Sequence, residues 1–429
     1  MHFYLHIPFC RQKCPYCKFA LTPIFDEAKK RRYIAHLKSE IREYFHSVIA
    51  RYEAIQDPEN TKHGSLHSSR WQTPGTIYFG GGTPSVLSLD EVREILECFR
   101  EAPFAKELSE VRRKTEDFFL KQNPPDSPLQ GGFTEISFEC NPEDITSEYI
   151  EWLLALGVNR LSVGIQSLSD ATLKAIHRSD RDSISHALDA IWSVIARNES
   201  VPVTNDVAIQ VPGILDCFVP RNDKNTTLSI NIDFILGLPY SKPGETLANI
   251  RELHAEYPYI THTSVYMLED ELYPPDWKAS SISEGEMQEE YIEIIEYFSS
   301  LGWHHYELSN WSKPGYECEH NAWYWDHSEY RWYGLSASSF VWGERWTNSS
   351  SFVGYYRWVK EGEEILTDED IQREKIMFGL RTGGVDVSLL DREKYIPLRD
   401  QDLLKICGTT ISPTKTWIFL LDHIISRLW

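Results

Sequence analysis

What this chain has little of is positive charge: 43 Lys and Arg stand against 64 Asp and Glu, a formal net charge of −21 over 429 residues. Phosphate contacts need Lys and Arg in excess, so the balance argues against nucleic acid or an anionic membrane surface as the main partner. The sequence holds no run of 18 apolar residues, and no integral membrane segment is expected. Its N-terminus lacks the cationic start, long apolar stretch and cleavage site of a signal peptide, which makes the expected location cytoplasmic. In a reducing compartment its eight cysteines are not expected to form a disulfide framework.

Three of those cysteines crowd the run HIPFCRQKCPYCKF, where Cys10, Cys14 and Cys17 form a CxxxCxxC pattern. Iron–sulfur clusters are held by thiolates, normally one per iron, so three close cysteines can grip three corners of a cubane and leave the fourth iron open. Pro15, Tyr16 and Phe19 give the loop an apolar collar that suits a cluster. The same cysteines would also make three-quarters of a zinc site completed by a distant His or Cys. Cys98, Cys140, Cys217, Cys318 and Cys407 are scattered and read as small buried hydrophobes.

Strand-like runs at 2–7, 76–82, 135–140, 160–166, 231–239 and 263–268 alternate with helical stretches such as Glu27 to Tyr52, Leu89 to Arg100, Ser147 to Leu156 and Asp170 to Ile176. That alternation predicts an α/β fold with a parallel sheet, and six repeats fit a partial (β/α)6 barrel. Chemistry in such folds sits at the carboxyl ends of the strands. Stretches 55–74, 103–133 and 196–228 break the pattern; the middle one, with QNPPDSPLQGGF, reads as a surface excursion, and VAIQVPGIL in the third could add a strand.

Several residues at strand ends stand out. Gly80, Gly81 and Gly82 follow TIYF and let backbone pass close to a ligand, although such a turn also serves as a plain βα connection. Glu139 ends SFE, where its carboxylate can accept from a ligand N–H or O–H; the other reading is an acid at the start of the helix that follows. Asp233 lies inside an otherwise apolar strand and needs a partner or a ligand. In SNWSKPGYECEHNAWYW, the residues Cys318, His320, Asn321, Tyr324 and Trp325 suit a flat macrocycle with an axial ligand, and equally an aromatic core.

The cysteine loop, entered from YLHIP, resembles the radical S-adenosylmethionine (SAM) signature. YLHIPFC, GGGTPS, SFECNPE and YELSNWSKPGYECEHNAWYW together resemble the heme chaperone HemW family, close relatives of oxygen-independent coproporphyrinogen III oxidase, over residues 2 to about 425. The resemblance implies a partial (β/α)6 radical SAM barrel with a small, mainly helical C-terminal domain. It implies a 4Fe-4S cluster on Cys10, Cys14 and Cys17, and SAM contacts from Tyr4, Tyr16, Gly81, Gly82, Thr83, Glu139, Gln166, Arg178 and Asp233. Tyr4 reads equally well as core packing. The HNxxYW motif makes His320 a candidate heme ligand.

The expected organisation is a radical SAM core over 1–248, barrel completion with the candidate heme region over 249–345, and a HemN-type C-terminal domain over 346–429. That last domain starts with the run Glu369 to Thr382. It closes with TKTWIFLLDHIISRLW, where Trp417, Leu421, Ile424, Ile425 and Leu428 recur at helical spacing and predict an amphipathic helix packed on its own domain. The oxidases carry a fourth loop cysteine and a long N-terminal extension; here position 19 is Phe and nine residues precede Cys10. The expected function is therefore delivery of heme to acceptor hemoproteins, with an electron donor as a further partner and without coproporphyrinogen oxidase activity. Radical decarboxylation of coproporphyrinogen III is the alternative.

Overall fold

The computed structural model describes all residues except 24–25, 57–74, 101–132, 201–227, 269–273, 275–276, 278–280, 415–418 and 429. Most of the three irregular stretches, the segment VAIQVPGIL, Cys217 and Trp417 therefore lie outside the described residues.

Six strands, β1 (His2–Ile7), β2 (Gly75–Gly81), β3 (Phe133–Cys140), β4 (Arg160–Gln166), β5 (Ser229–Leu236) and β6 (His262–Met267), pair in sequence order, each parallel to the next. Each begins within two residues of the run expected from the sequence. Parallel strands need crossovers, and helices Glu27–Gln56, Leu89–Arg100, Ser147–Ala155, Arg181–Ser200 and Glu245–Glu256 supply them. Alternate residues divide between two environments. Phe3, Leu5 and Ile7 face the helices and join Tyr33, Ile34, Leu37 and Ile41 in the main core, while His2, Tyr4 and His6 face inward.

The sheet continues past both ends of this repeat, to twelve strands among the described residues. Beyond β6 lie the antiparallel strands Asn310–Ser312 and His304–Glu307. Beyond β1, Tyr330–Tyr333 pairs in parallel and leads into the antiparallel strands Ser338–Val341, Glu344–Asn348 and Lys360–Ile365. Glu40 pins this extension to the first helix: its buried carboxylate accepts from Arg331 Nη2 at 2.8 Å, Asn348 Nδ2 at 2.8 Å, Tyr355 Oη at 2.7 Å and the Gly334 amide at 3.0 Å.

A second core gathers Ile376, Leu380, Leu398, Ile411 and the C-terminal helix. It is built from helices Asp368–Arg381, Arg392–Asp400 and Leu421–Leu428 around a three-stranded antiparallel sheet. Leu421, Ile424, Ile425 and Leu428 are all buried in it, the packing the helical spacing predicts. Among the scattered cysteines Cys98, Cys140 and Cys318 are buried as expected, but Cys407 is exposed, because the strand Leu404–Cys407 turns its last three residues to solvent.

Candidate cluster and cofactor site

The cysteine loop leaves β1 and returns beside it: Phe9–Cys10 pairs with Thr22–Pro23, and the Thr22 amide donates to Pro8 O at 2.7 Å. The glycine turn at the end of β2 is bound to the same loop. The Gly82 amide donates to Ile7 O and the Thr83 amide to Phe9 O, both at 2.8 Å, and Thr83 Oγ1 donates to Cys10 Sγ at 3.2 Å. A tighter weave comes from the turn after β3, where Asp144 Oδ1 accepts from Arg11 Nε at 2.9 Å and Asp144 Oδ2 from Ser85 Oγ at 2.7 Å. From the segment after β4, the His177 carbonyl accepts from Gln12 Nε2.

Within the loop the Cys17 amide donates to Cys14 O at 3.1 Å, so the two thiols stem from one tight turn. Cys14 and Cys17 are half-buried and Cys10 is buried, which pushes the Cys10 thiol up to about 11 against the pull of the Thr83 hydroxyl. Burial raises the Cys17 thiol too. Among the described residues no three His, Cys, Asp or Glu side chains converge on a point that could hold a single metal ion.

The other expected cofactor residues ring the carboxyl ends of the strands on the inner face. Glu139 Oε2 accepts from the Gly81 amide at 3.1 Å. A Cβ on Gly80 would lie 2.8 Å from Glu139 Oε1 and 2.9 Å from the Tyr4 hydroxyl, so these two groups converge over a glycine. Gly81 has φ +107°, and a Cβ there would strike the His6 ring, so glycine is required on both grounds. Burial, then the Asp233 carboxylate, pushes Glu139 up to about 7, although the Tyr78 hydroxyl and the Gly81 amide oppose the shift. Asp233 is also raised by burial, against hydrogen bonds from Ser162, Ser264 and Asn231. Ser162 Oγ and Asn231 Nδ2 each stand 2.8 Å from its carboxylate, the partners its apolar strand demands.

Gln166 closes β4 in the left-handed region at φ 71°, with its buried Oε1 lacking a hydrogen-bond partner. Arg178 donates from Nη2 to Gly164 O, while its buried Nε has no partner. Tyr16 lies against Arg178 and Cys14, and burial raises its hydroxyl. Strained backbone and orphaned polar atoms beside a glycine cradle fit a polar cofactor with amine, carboxylate and hydroxyl groups. The loop cysteines, Tyr4, Tyr16, Gly81, Gly82, Thr83, Glu139, Gln166, Arg178 and Asp233 are thus assembled at one end of the sheet.

His320 touches this set only through Tyr4, whose ring centroid is 6.4 Å from its own, and otherwise belongs to a polar network toward the amino ends of the strands. Its Nδ1 shares a hydrogen bond with Thr76 Oγ1 at 2.6 Å, and Thr76 in turn bonds His2 Nδ1 at 3.0 Å. The Tyr324 hydroxyl bonds His320 Nε2 and accepts from Trp332 Nε1 at 2.8 Å. Both ring nitrogens are engaged, the side chain is buried, and burial lowers the ring to about 3. Beside it Glu135 accepts from Arg160 Nε at 2.8 Å, from the Glu319 and His320 amides at 3.0 and 3.2 Å, and from Cys318 Sγ at 3.3 Å. Burial alone would raise Glu135, but the Arg160 guanidinium and these bonds hold it below the ordinary carboxylate value.

Tyr78 was not singled out from the sequence. Its ring centroid lies 5.0 Å from that of His320 and 5.8 Å from that of Tyr4, which are themselves 6.4 Å apart, and its hydroxyl bonds Glu139, so the two regions meet at this cluster of three rings. The signal was present: Thr76, Tyr78 and Gly80 share the inner face of β2, as Glu135, Ser137 and Glu139 share that of β3, polar stripes on strands otherwise buried on both faces.

A sequence model of the radical SAM superfamily matches residues 4–195, which span the cysteine loop, the glycine turn, Glu139, Gln166 and Arg178. A protein named heme chaperone HemW from Lactococcus lactis is 25% identical over 390 residues, 88% of this chain and 80% of its own. One of the same name from Synechocystis is 27% identical over 399 residues, 89% and 78%. Residues 4–195 thus resemble the radical SAM superfamily, and the chain along most of its length resembles proteins named heme chaperone HemW. The solved coproporphyrinogen III oxidase HemN of Escherichia coli, described as a radical SAM enzyme, superposes with a TM-score of 0.66 at 17% identity, covering 100% of this chain and 89% of its own. That likeness gives this chain the fold of HemN. No helix among the described residues is long and apolar enough to cross a membrane.

Proposed function

We propose that this protein is a cytoplasmic heme chaperone that carries a 4Fe-4S cluster on Cys10, Cys14 and Cys17, binds SAM and one heme, and passes the heme to acceptor hemoproteins. The observation that carries the reading is the match, along 88% and 89% of the chain, to relatives named heme chaperones. Phe19 supports it: this side chain stands where the oxidase loop continues to a fourth cysteine, and it is 60% exposed.

The cluster and SAM supply one-electron chemistry when bound. In this reading Thr83 holds the Cys10 sulfur, Glu139 and Asp233 accept from SAM N–H and O–H groups, and Arg178 lies between that pocket and the loop. Heme ligation through His320 Nε2 would require its bond to Tyr324 to open, so heme uptake would involve a local rearrangement around Tyr324 and Trp332.

Anaerobic reconstitution followed by porphyrin analysis after incubation with coproporphyrinogen III and SAM separates this reading from the oxidase. No protoporphyrinogen is expected. Clear decarboxylated product would replace the chaperone with the enzyme.

A further inference from the structure

Tyr78 stands on the inner face of β2, two residues before Gly80. Glu139 is held by two donors of that one strand, the Tyr78 hydroxyl and the Gly81 amide, which lies 3.1 Å from Oε2. An ionised carboxylate has about four acceptor sites, so two donors fix its orientation and leave it able to accept from a ligand. The phenol is itself fixed from the far side. Its ring stacks 5.0 Å from His320 at an interplanar angle of 29° and 5.8 Å from Tyr4 at 22°. Tyr4 packs 4.4 Å from Trp332, whose Nε1 donates to Tyr324 Oη at 2.8 Å. That hydroxyl bonds His320 Nε2, and Thr76 Oγ1 lies 2.6 Å from Nδ1. A tyrosine has two side-chain torsions, so a ring packed on both neighbours presents its hydroxyl at one point.

We propose that Tyr78 is a positioning residue for SAM: its hydroxyl turns the Glu139 carboxylate toward the ligand, and its ring, packed on Tyr4 and His320, ties that orientation to the His320 network. The inference rests on the SAM site proposed above. Tyr78 donates to the ionised carboxylate, so losing its hydroxyl disfavours the form of Glu139 that accepts from SAM. The other titratable groups facing Glu139 are the Asp233 carboxyl, the Tyr4 and Tyr266 hydroxyls and the Cys140 thiol, and Arg178 faces Asp233. Burial raises both tyrosines, the thiol and Tyr78 itself, so all four keep their protons at neutral pH and Asp233 is the one competing carboxyl among them.

The test is calorimetric titration of SAM into the full chain, reconstituted anaerobically, across the neutral pH range. Tyr78→Phe keeps the ring and removes only the hydroxyl. It should weaken SAM binding roughly two- to tenfold. It should also move the midpoint of the affinity rise to higher pH, because the hydroxyl holds Glu139 down, a shift that a mere packing role would not produce. In the Glu139→Gln background the same change should move no midpoint. His320→Ala, which frees one face of the ring, should weaken SAM several-fold in the wild type and much less beside Tyr78→Phe, as for residues acting as one unit. Urea unfolding of unloaded protein gives a reading without SAM. The loss of stability with rising pH should extend to higher pH in Tyr78→Phe than in wild type, and that difference should vanish in Glu139→Gln. Wild-type affinity and midpoint in Tyr78→Phe, or additive losses with His320→Ala, overturn the proposal and leave the SAM site standing. No SAM binding by iron-loaded wild type removes the site and the proposal with it.

Discussion

Thr83 donates from Oγ1 to Cys10 Sγ at 3.2 Å while its own amide donates to Phe9 O at 2.8 Å, so the glycine turn and the cysteine loop are one hydrogen-bonded unit. A hydrogen bond to a cluster sulfur ligand orients it and stabilises its thiolate form. Thr83→Val should therefore still assemble a cluster but lose it several-fold faster to a chelator, read as decay of the cluster absorbance. Decay at the wild-type rate would leave Thr83 with a packing role only.

Replacing Cys10, Cys14 or Cys17 by Ala should abolish assembly, because no spare cysteine lies in the loop. Cys98→Ala should not, since Cys98 is buried in the main core with its thiol donating to Glu94 O at 3.4 Å. Iron and sulfide analysis decides, and wild-type iron in Cys14→Ala would sink the cluster assignment.

Glu139 gives the site a pH dependence. Its carboxyl is raised from 4.5 to about 7 by burial and by Asp233, so the folded chain keeps this proton to higher pH than the unfolded chain. Between those two values, stability falls as pH rises, and above about 7 this contribution is flat. SAM binding should follow the opposite sign, because the ionised carboxylate accepts more strongly: affinity rises as the pH passes through about 7. Calorimetry on reconstituted protein across that range should show the rise in wild type and a flat profile in Glu139→Gln. A rise of equal size in the variant would assign the dependence to another group.

The six parallel strands were legible because each is an apolar run between helical stretches, and the polar residues at their ends stood out against it. The antiparallel extension was not. Its hairpin turns at Trp342 and Gly343, both at positive φ (58° and 80°), and the sequence WG lacks the Asn-Gly or Asp-Gly signal of such a turn. Glu40 was unreadable for another reason: four of its partners, Arg331, Gly334, Asn348 and Tyr355, lie about 300 residues away, and nothing local marks a helical Glu as buried. His320 was found by its motif, and Tyr324 stands four residues on along the same helix, but the bond to its other nitrogen comes from Thr76, 244 residues away, which only the fold brings to it.

The Glu135–Arg160 pair, both side chains 6% exposed, closes the amino end of the inner face. Removing one partner leaves the other charge buried and also frees the Glu319 and His320 amides, so Glu135→Ala should cost about 3–5 kcal/mol in urea unfolding. The double variant Glu135→Leu, Arg160→Met should recover part of that loss. A cost below about 1 kcal/mol in the single variant would mean that water reaches the site.

The central claim is tested most directly by titrating heme into the anaerobically reconstituted protein and following its absorption spectrum. The account expects a saturable one-to-one spectrum that persists in Cys14→Ala and changes in His320→Ala. Absence of saturable heme binding by the wild-type protein would contradict it.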